Sequence, residues 1–195
     1  MVISFLASHA GSAARAIIEA IHTQQLDASI GCILCNNRDA AILAWAKVHN
    51  IPHALLNAST HTDVDSAMVE ILQSYGTDIV VCSGYMKHIG EQTLGAYEGK
   101  ILNIHPSLLP RHGGEGMYGD RVHAAVLESG DVLTGATVQI VTAHYDAGPI
   151  LGQRSIAVEK NDTIETLRTR VQAIEAPLYI EVLHRFLEEA SHAHH

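Results

Sequence analysis

An α/β fold, with a mostly parallel twisted sheet and helices on both faces, is what this sequence predicts, and three features predict it. Short apolar, β-branched runs alternate with longer runs whose apolar residues recur at helical spacing, the pattern of a parallel sheet flanked by helices. Nearly half of the 195 residues are hydrophobic (47%), enough for a sizeable core. No repeat, linker or low-complexity tract divides the chain, so a single domain over residues 1–190 is expected, with a tail at 191–195.

The elements follow in order. Val2–Ala7 reads as the first strand, and residues 11–23 as a helix carrying Ala14, Ile17, Ile18 and Ile21 at a helical period. Ser29–Cys35 is the second strand, and 39–49 a helix with Ile42, Leu43 and Ala46 on one face. A short strand at 52–56 leads to a helix at 63–75, with Val64, Ala67, Met68, Ile71 and Leu72 inward, and a fourth strand at 78–82. After Cys82 the rhythm changes: a loop-rich segment and a short turn or helix precede a fifth strand at 100–105. The glycine-dense stretch 111–119 comes before a helix at 121–129. Strands at 134–141 and 150–158 are joined by a turn-rich connection, 144–149. The last helix, 163–189, has Asp162 as its expected N-cap and Glu165 as capping-box partner. Pro177 is expected to kink or break it.

The bulk properties narrow the function. A net charge of −9 argues against a nucleic-acid backbone as partner, which needs a clustered positive surface. It leaves room for a small phosphorylated ligand on backbone amides at a helix start. The apolar residues 1–8 lack a charged leader, and no apolar run approaches the roughly 18 residues of a membrane span. A soluble, cytoplasmic protein without a membrane partner is expected. Cys32 and Cys35 have a C-x-x-C spacing but lie in an apolar run without a second such pair, which favours buried core thiols over redox or zinc work. His192, His194 and His195 read as a frayed polar tail.

Three segments carry candidate chemistry. In Ile101-Leu-Asn-Ile-His-Pro, Asn103 and His105 share one face of a strand, and Pro106 puts His105 at the strand's carboxyl end. Ligands of open parallel sheets bind outside those ends. There an amide and an imidazole can donate to a developing oxyanion, and the imidazole can also move a proton; a strand-end histidine bonded to a loop is the competing reading. Asp146 lies in the polar loop 142–149, where a carboxylate near His105 would favour the imidazolium; equally, Asp before Gly-Pro is a common turn residue. The first strand–helix junction, 7–15, is rich in small residues, which suits a single phosphate group. It lacks the spacing of a dinucleotide or P-loop fingerprint, and a plain Ser-capped helix is the alternative.

Together, Asn103-x-His105-Pro-Ser-Leu-Leu-Pro110 and, about forty residues on, Asp146-x-Gly148-Pro149 resemble the glycinamide ribonucleotide formyltransferase family. The resemblance implies a Rossmann-like formyltransferase fold, with 1–82 as a phosphate-binding half and 83–190 as a folate-binding and catalytic half. It implies 10-formyltetrahydrofolate as formyl donor, no metal, and an amine acceptor in purine biosynthesis. On that basis Asn103 and His105 would polarise the formyl group, and Asp146 would pair with His105 and assist proton transfer. Gly11, Ser12 and Ala13 would hold the acceptor's phosphate by main-chain N–H groups, Arg15 would add positive charge nearby, and Pro106 would border the acceptor. Glu175 would bond the ribose hydroxyls, against the alternative of a solvated helix face. Met86, Lys87, His88 and Ile89, with Val141, Thr142, Ala143, His144 and Tyr145, would border the pterin. The sequence departs from the family in having Ala13 where asparagine is usual and Lys87 where arginine is common. The glycine-rich 113–119 stretch would act as a lid or reshape the acceptor pocket. Small-molecule substrates are the expected partners, and a homodimer is left open. The rival readings are an amino-sugar nucleotide formyltransferase, which would be expected to carry extra C-terminal sequence for its acceptor, and a non-catalytic folate- or nucleotide-binding module. A tRNA formyltransferase would need a further domain and a basic surface, and a formyltetrahydrofolate hydrolase an N-terminal regulatory domain.

Overall fold

In a computed structural model, which describes residues 1–192 of the chain and side chains as far as residue 190, seven strands form one sheet in the order β3-β2-β1-β4-β5-β6-β7. The chain divides into two compact units, Met1–Leu102 and Asn103–His195. No helix among the described residues is long and apolar enough to cross a membrane.

The first unit holds β1 (Val2–Ala7), α1 (Ser12–His22), β2 (Ser29–Cys35), α2 (Ala41–Val48), β3 (His53–Leu55), α3 (Val64–Ser74), β4 (Ile79–Ser83), α4 (Glu91–Ala96) and the start of β5 (Ile101–His105). β1 pairs in parallel with β2 and β4, and β2 with β3. These strands are near-continuous apolar runs because helices cover both faces of a parallel sheet. Ile3, Phe5, Leu6, Ile33, Leu34, Val80 and Val81 are all buried. So are Cys32, Cys35 and Cys82, none of them in a disulfide among the described residues. Burial pushes the Cys32 thiol up to about 11 and the Cys82 thiol up to about 12, so neither is a thiolate nucleophile near neutral pH. The segment after β4 folds back onto α3. The Asp65 carboxylate accepts from the Gln92 and Thr93 N–H groups (2.9 and 3.0 Å) and from Thr93 Oγ1 (2.6 Å), capping α4 from outside. A Cβ at Gly90 would overlap that carboxylate. This packing extends the first unit to Leu102, beyond the end of β4.

The second unit contains the end of β5, α5 (Asp120–Ser129), the antiparallel hairpin β6 (Leu133–Ile140) and β7 (Ile150–Ala157), and α6 (Ile164–His192). α6 packs on α5, β6 and β7. Two expectations for this helix are corrected. Of the kink or break expected at Pro177, the break does not occur: one helix of 29 residues runs through it. Buried Leu167 and Val171 before the proline, and Leu178, Tyr179, Val182, Leu183 and Leu187 after it, continue one packed stripe, and that tertiary contact outweighs the lost backbone hydrogen bond. The cap lies one residue later than Asp162 and Glu165 suggest. Thr163 Oγ1 accepts the Thr166 N–H at 3.2 Å and Thr166 Oγ1 accepts the Thr163 N–H at 2.9 Å, a reciprocal box built of two threonines. Asp162 instead binds the Glu159 N–H, the Thr166 hydroxyl and Arg170. α6 reaches His192, past residue 189 and into the supposed tail, whose His194 and His195 lie outside the described residues.

The cap assignment has a direct test. Thr163→Ala should lower unfolding stability by about 1 kcal/mol, whereas Glu165→Ala should stay within about 0.5 kcal/mol of the parent. Urea midpoints compare the two, and the reverse order would restore the Asp162 cap.

Candidate active site

The second unit gathers its polar side chains where β5 ends. Asn103 is half-buried, and its amide finds no hydrogen-bond partner among the described residues. Two residues on, His105 is only 4% exposed. Its ring lies between two acceptors. Nε2 is 2.8 Å from the His112 carbonyl oxygen, and Nδ1 is 3.4 Å from Asp146 Oδ2. A carbonyl can only accept, so Nε2 carries a hydrogen. When Nδ1 is protonated as well, the ring and Asp146 form an ion pair.

The Asp-x-Gly-Pro run owes its residue types to how the loop after β6 closes. Asp146 has φ 53°, a left-handed conformation that Asp tolerates better than most residues. A Cβ at Gly148 would overlap the Ile140 carbonyl oxygen, so only glycine lets the chain pass β6. The Pro149 carbonyl then accepts the Ile140 N–H at 2.9 Å. The carboxylate this turn presents is held at both oxygens: Oδ1 accepts from Gln139 Nε2 at 2.7 Å, and Oδ2 accepts from the Gly114 N–H at 2.9 Å while facing His105. Gly114 is the second residue of the glycine-rich 113–119 stretch, so the upstream end of that stretch is tethered to Asp146.

The loop after β5 is bolted to β6 by Thr137. Its buried hydroxyl donates to the Ser107 carbonyl (2.6 Å) and accepts from the Leu109 N–H (3.0 Å) and Gln153 Nε2 (2.9 Å). Further along, Ser107 Oγ donates to the Arg111 carbonyl at 2.6 Å. His112 Nε2 meets Asp131 Oδ2 at 2.7 Å, and the Arg111 guanidinium binds Asp131 Oδ1. His112, Asp131, Gln139 and Thr137 escape a reading of the sequence. Gln139 and Thr137 do leave a trace, as polar residues inside the apolar strand Thr-Val-Gln-Ile. His112 and Asp131 are nineteen residues apart, and no local pattern joins them.

Other groups in this unit have distinct environments. His123 on α5 is 2% exposed, and its Nδ1 has no partner. Burial holds its pKa below the ordinary value; Asp120 pulls it up, while Arg168 and His105 push it down. Glu175 on α6 is half-buried and makes no hydrogen bond or ion pair among the described residues. Desolvation pushes its carboxyl up to about 7, which corrects the solvated-face alternative. Val141 is half-buried, and Thr142, Ala143, His144 and Tyr145 are exposed.

In the first unit the strand–helix turn is shaped by Gly11. Its φ of 60° favours glycine, and a Cβ there would come within 2.8 Å of Ile42 Cδ1. The Ala14 N–H donates to Ser83 Oγ (3.1 Å) and the Arg15 N–H to the Gly11 carbonyl (2.9 Å). The Ser12 and Ala13 N–H groups are left without protein partners among the described residues, as at any helix start. Ser12 is exposed, whereas the Ala13 side chain is buried. Arg15 is neither free in solvent nor paired with an anion. Its guanidinium carbon lies 5.3 Å from the Trp45 ring centre, and its Nε is buried without a partner. The 86–89 segment is held at both ends: the Met86 N–H donates to Ser8 Oγ at 2.8 Å, and Ile89 is buried just before the Asp65-capped helix. Ser8 Oγ in turn donates to Asn36 Oδ1 at 2.5 Å. No three His, Cys, Asp or Glu side chains among the described residues converge on a point that could hold a metal.

Known proteins are similar to this chain in sequence and in fold. Residues 1–183 match the sequence model of the formyl transferase family. The chain is 38% identical over 186 residues to a chloroplastic phosphoribosylglycinamide formyltransferase of Arabidopsis thaliana, covering 93% of this chain but 64% of that protein. It is 35% identical over 189 residues to the phosphoribosylglycinamide formyltransferase of Haemophilus influenzae, covering 95% and 87%. The crystal structure of phosphoribosylglycinamide formyltransferase from Bacillus halodurans superposes with a TM-score of 0.89 at 35% identity, over 97% of both chains.

The Glu175 environment predicts a pH dependence of stability. Its carboxyl titrates near 7 in the folded chain against an ordinary 4.5, so the unfolded chain gives up that proton first. Its contribution to stability is therefore full below pH 4.5 and declines as pH rises towards 7. The stability difference between Glu175→Gln and the parent should change across that window and level off above it. A difference independent of pH would mean that the carboxyl titrates normally.

Proposed function

Because the chain belongs to the formyl transferase family, we propose that it transfers the formyl group of 10-formyltetrahydrofolate to the primary amine of glycinamide ribonucleotide in purine biosynthesis. The observation that carries this reading is the His105–Asp146 pair at 3.4 Å, two residues along β5 from the unpartnered Asn103 amide. Attack of the amine on the formyl carbon forms a C–N bond and turns the formyl oxygen into an oxyanion. Asn103 Nδ2 donates to that oxygen. So does His105 through Nδ1, whose separation from Asp146 is longer than a normal hydrogen bond and is easily exchanged for a nearer acceptor. Asp146 takes the proton released by the attacking amine through a water and returns it to the folate nitrogen as the C–N bond to the donor breaks. Imidazolium and carboxylate thus stabilise charge at successive stages of one addition–elimination.

The supporting roles follow the same reading. Gly11, Ser12 and Ala13 offer the acceptor's phosphate their main-chain N–H groups at the α1 start. Arg15, stacked on Trp45, adds positive charge to that region, and Pro106 borders the acceptor. Glu175 accepts from ribose hydroxyls, and binding raises the share of its ionised form. Met86, Lys87, His88 and Ile89, with Val141 to Tyr145, border the pterin, chiefly through backbone groups. The substrates are small molecules, and the enzyme is cytoplasmic and needs no metal. Residues 1–82 supply phosphate binding, and 83–190 supply folate binding and catalysis.

His105→Ala and Asp146→Asn should each lower formyl transfer to glycinamide ribonucleotide by on the order of a hundred-fold or more, with thermal midpoints near the parent's. Full activity in either variant would remove that residue from the mechanism. Turnover with an amino-sugar nucleotide and none with glycinamide ribonucleotide would replace the acceptor, and turnover with neither would favour a binding module.

A further inference from the structure

His105 is oriented by a backbone carbonyl, and that carbonyl belongs to a residue with little freedom of its own. His112 has φ 54°, a left-handed conformation that side-chain-bearing residues rarely adopt, so something must hold it. Its imidazole is 13% exposed and lies 2.7 Å from an Asp131 carboxylate that is 11% exposed. The hydrogen bond from His112 is the main influence keeping the Asp131 carboxyl below its ordinary pKa, and Arg111 adds to it. Arg111 closes the other side of the carboxylate, and its own carbonyl is tied by Ser107 Oγ at 2.6 Å. Asp131 itself is placed by α5, which ends on Gly130 in a left-handed cap. Asp131 thus grips two consecutive residues of the loop after β5, and the second of them presents its carbonyl to His105 Nε2 at 2.8 Å.

The geometry points to Asp131 as a positioning residue for His105, acting through the His112 side chain to hold the His112 carbonyl as the fixed acceptor of the Nε2 hydrogen. With Nε2 committed to that carbonyl, Nδ1 is the nitrogen turned to Asp146 and to the reacting oxygen. Loosening Asp131 would free the ring to rotate and would weaken the hydrogen bond from Nε2 to the His112 carbonyl. A purely structural brace predicts none of this beyond a loss of stability. The catalytic part of the inference rests on the formyl-transfer reading; the orientation of the ring does not.

The test combines nitrogen-15 NMR of the histidine side chains with steady-state kinetics on the full chain. The His105 Nε2–H signal is identified by its loss in His105→Ala. In Asp131→Ala that hydrogen should exchange with water on the order of ten-fold faster, and kcat should fall on the order of ten-fold with both KM values within about two-fold. Asp131→Asn keeps an acceptor for His112 and should restore both readings. His112→Gly suits the left-handed backbone while removing the gripped side chain. It should behave like Asp131→Ala, and it carries the test should that variant not fold. An unchanged Nε2–H signal in a folded Asp131→Ala or His112→Gly would overturn the inference, as would an equal loss in Asp131→Asn. Were the parent inactive with glycinamide ribonucleotide, the proposed acceptor would fall, and the NMR comparison would decide the positioning role alone.

Discussion

A neutral imidazole carries one hydrogen and one lone pair, and the surroundings of His105 offer it two acceptors and no donor. The His112 carbonyl faces Nε2 and the Asp146 carboxylate faces Nδ1. Each acceptor fixes the direction of one ring nitrogen, and the neighbouring polar contacts of the second unit keep both acceptors in place. Gln139 and the Gly114 N–H hold Asp146 still, Thr137 holds the loop that leads to His112, and Asp131 holds His112 itself. Each link is made by a side chain from one segment bonding the backbone or side chain of another. Such an assembly resists movement because no member can turn without leaving a partly buried polar group unmet.

The first unit solves a different problem by different means. A helix start that must expose N–H groups has no use for a capping side chain, and α1 has none: Gly11 precedes it with no side-chain hydrogen bond. The turn rests on the left-handed backbone of Gly11, and Ile42 would have to give way to any larger residue there. Ser83 takes the third N–H of the helix and leaves the first two open. Burial of Ala13 shows why a small side chain is at home there. Any phosphate recognition at this turn must then come from backbone groups, with Arg15 leaning over Trp45 as the nearby cation.

Most of the fold could be read from periodicity. The strands Val2–Ala7 and Ser29–Cys35 are found at the bounds their apolar runs suggest, and most other elements lie within a residue or two of theirs. Those signals are local: alternation and helical spacing are written along one segment. The course of α6 through Pro177 departs from expectation for a non-local reason. Propensity rules treat Pro177 as a breaker, but the packed stripe from Leu167 to Leu187 keeps the helix whole. The cap fell on Thr163 because the chain enters the helix one residue later than the acidic residues suggested.

For the functional groups the division is sharper. The sequence by itself determined that Asn103 and His105 share a strand face, that Pro106 ends that strand, and that Asp146 begins a Gly-Pro turn. These are consequences of strand parity and of proline and glycine backbone chemistry, which act within a few residues. Only the tertiary structure decided that Asp146 meets His105, that Glu175 is desolvated enough to titrate near 7, and that His112, Asp131 and Gln139 belong to the same network. Those facts depend on which distant segments pack together and on how much water remains between them, and no local pattern of residues records either.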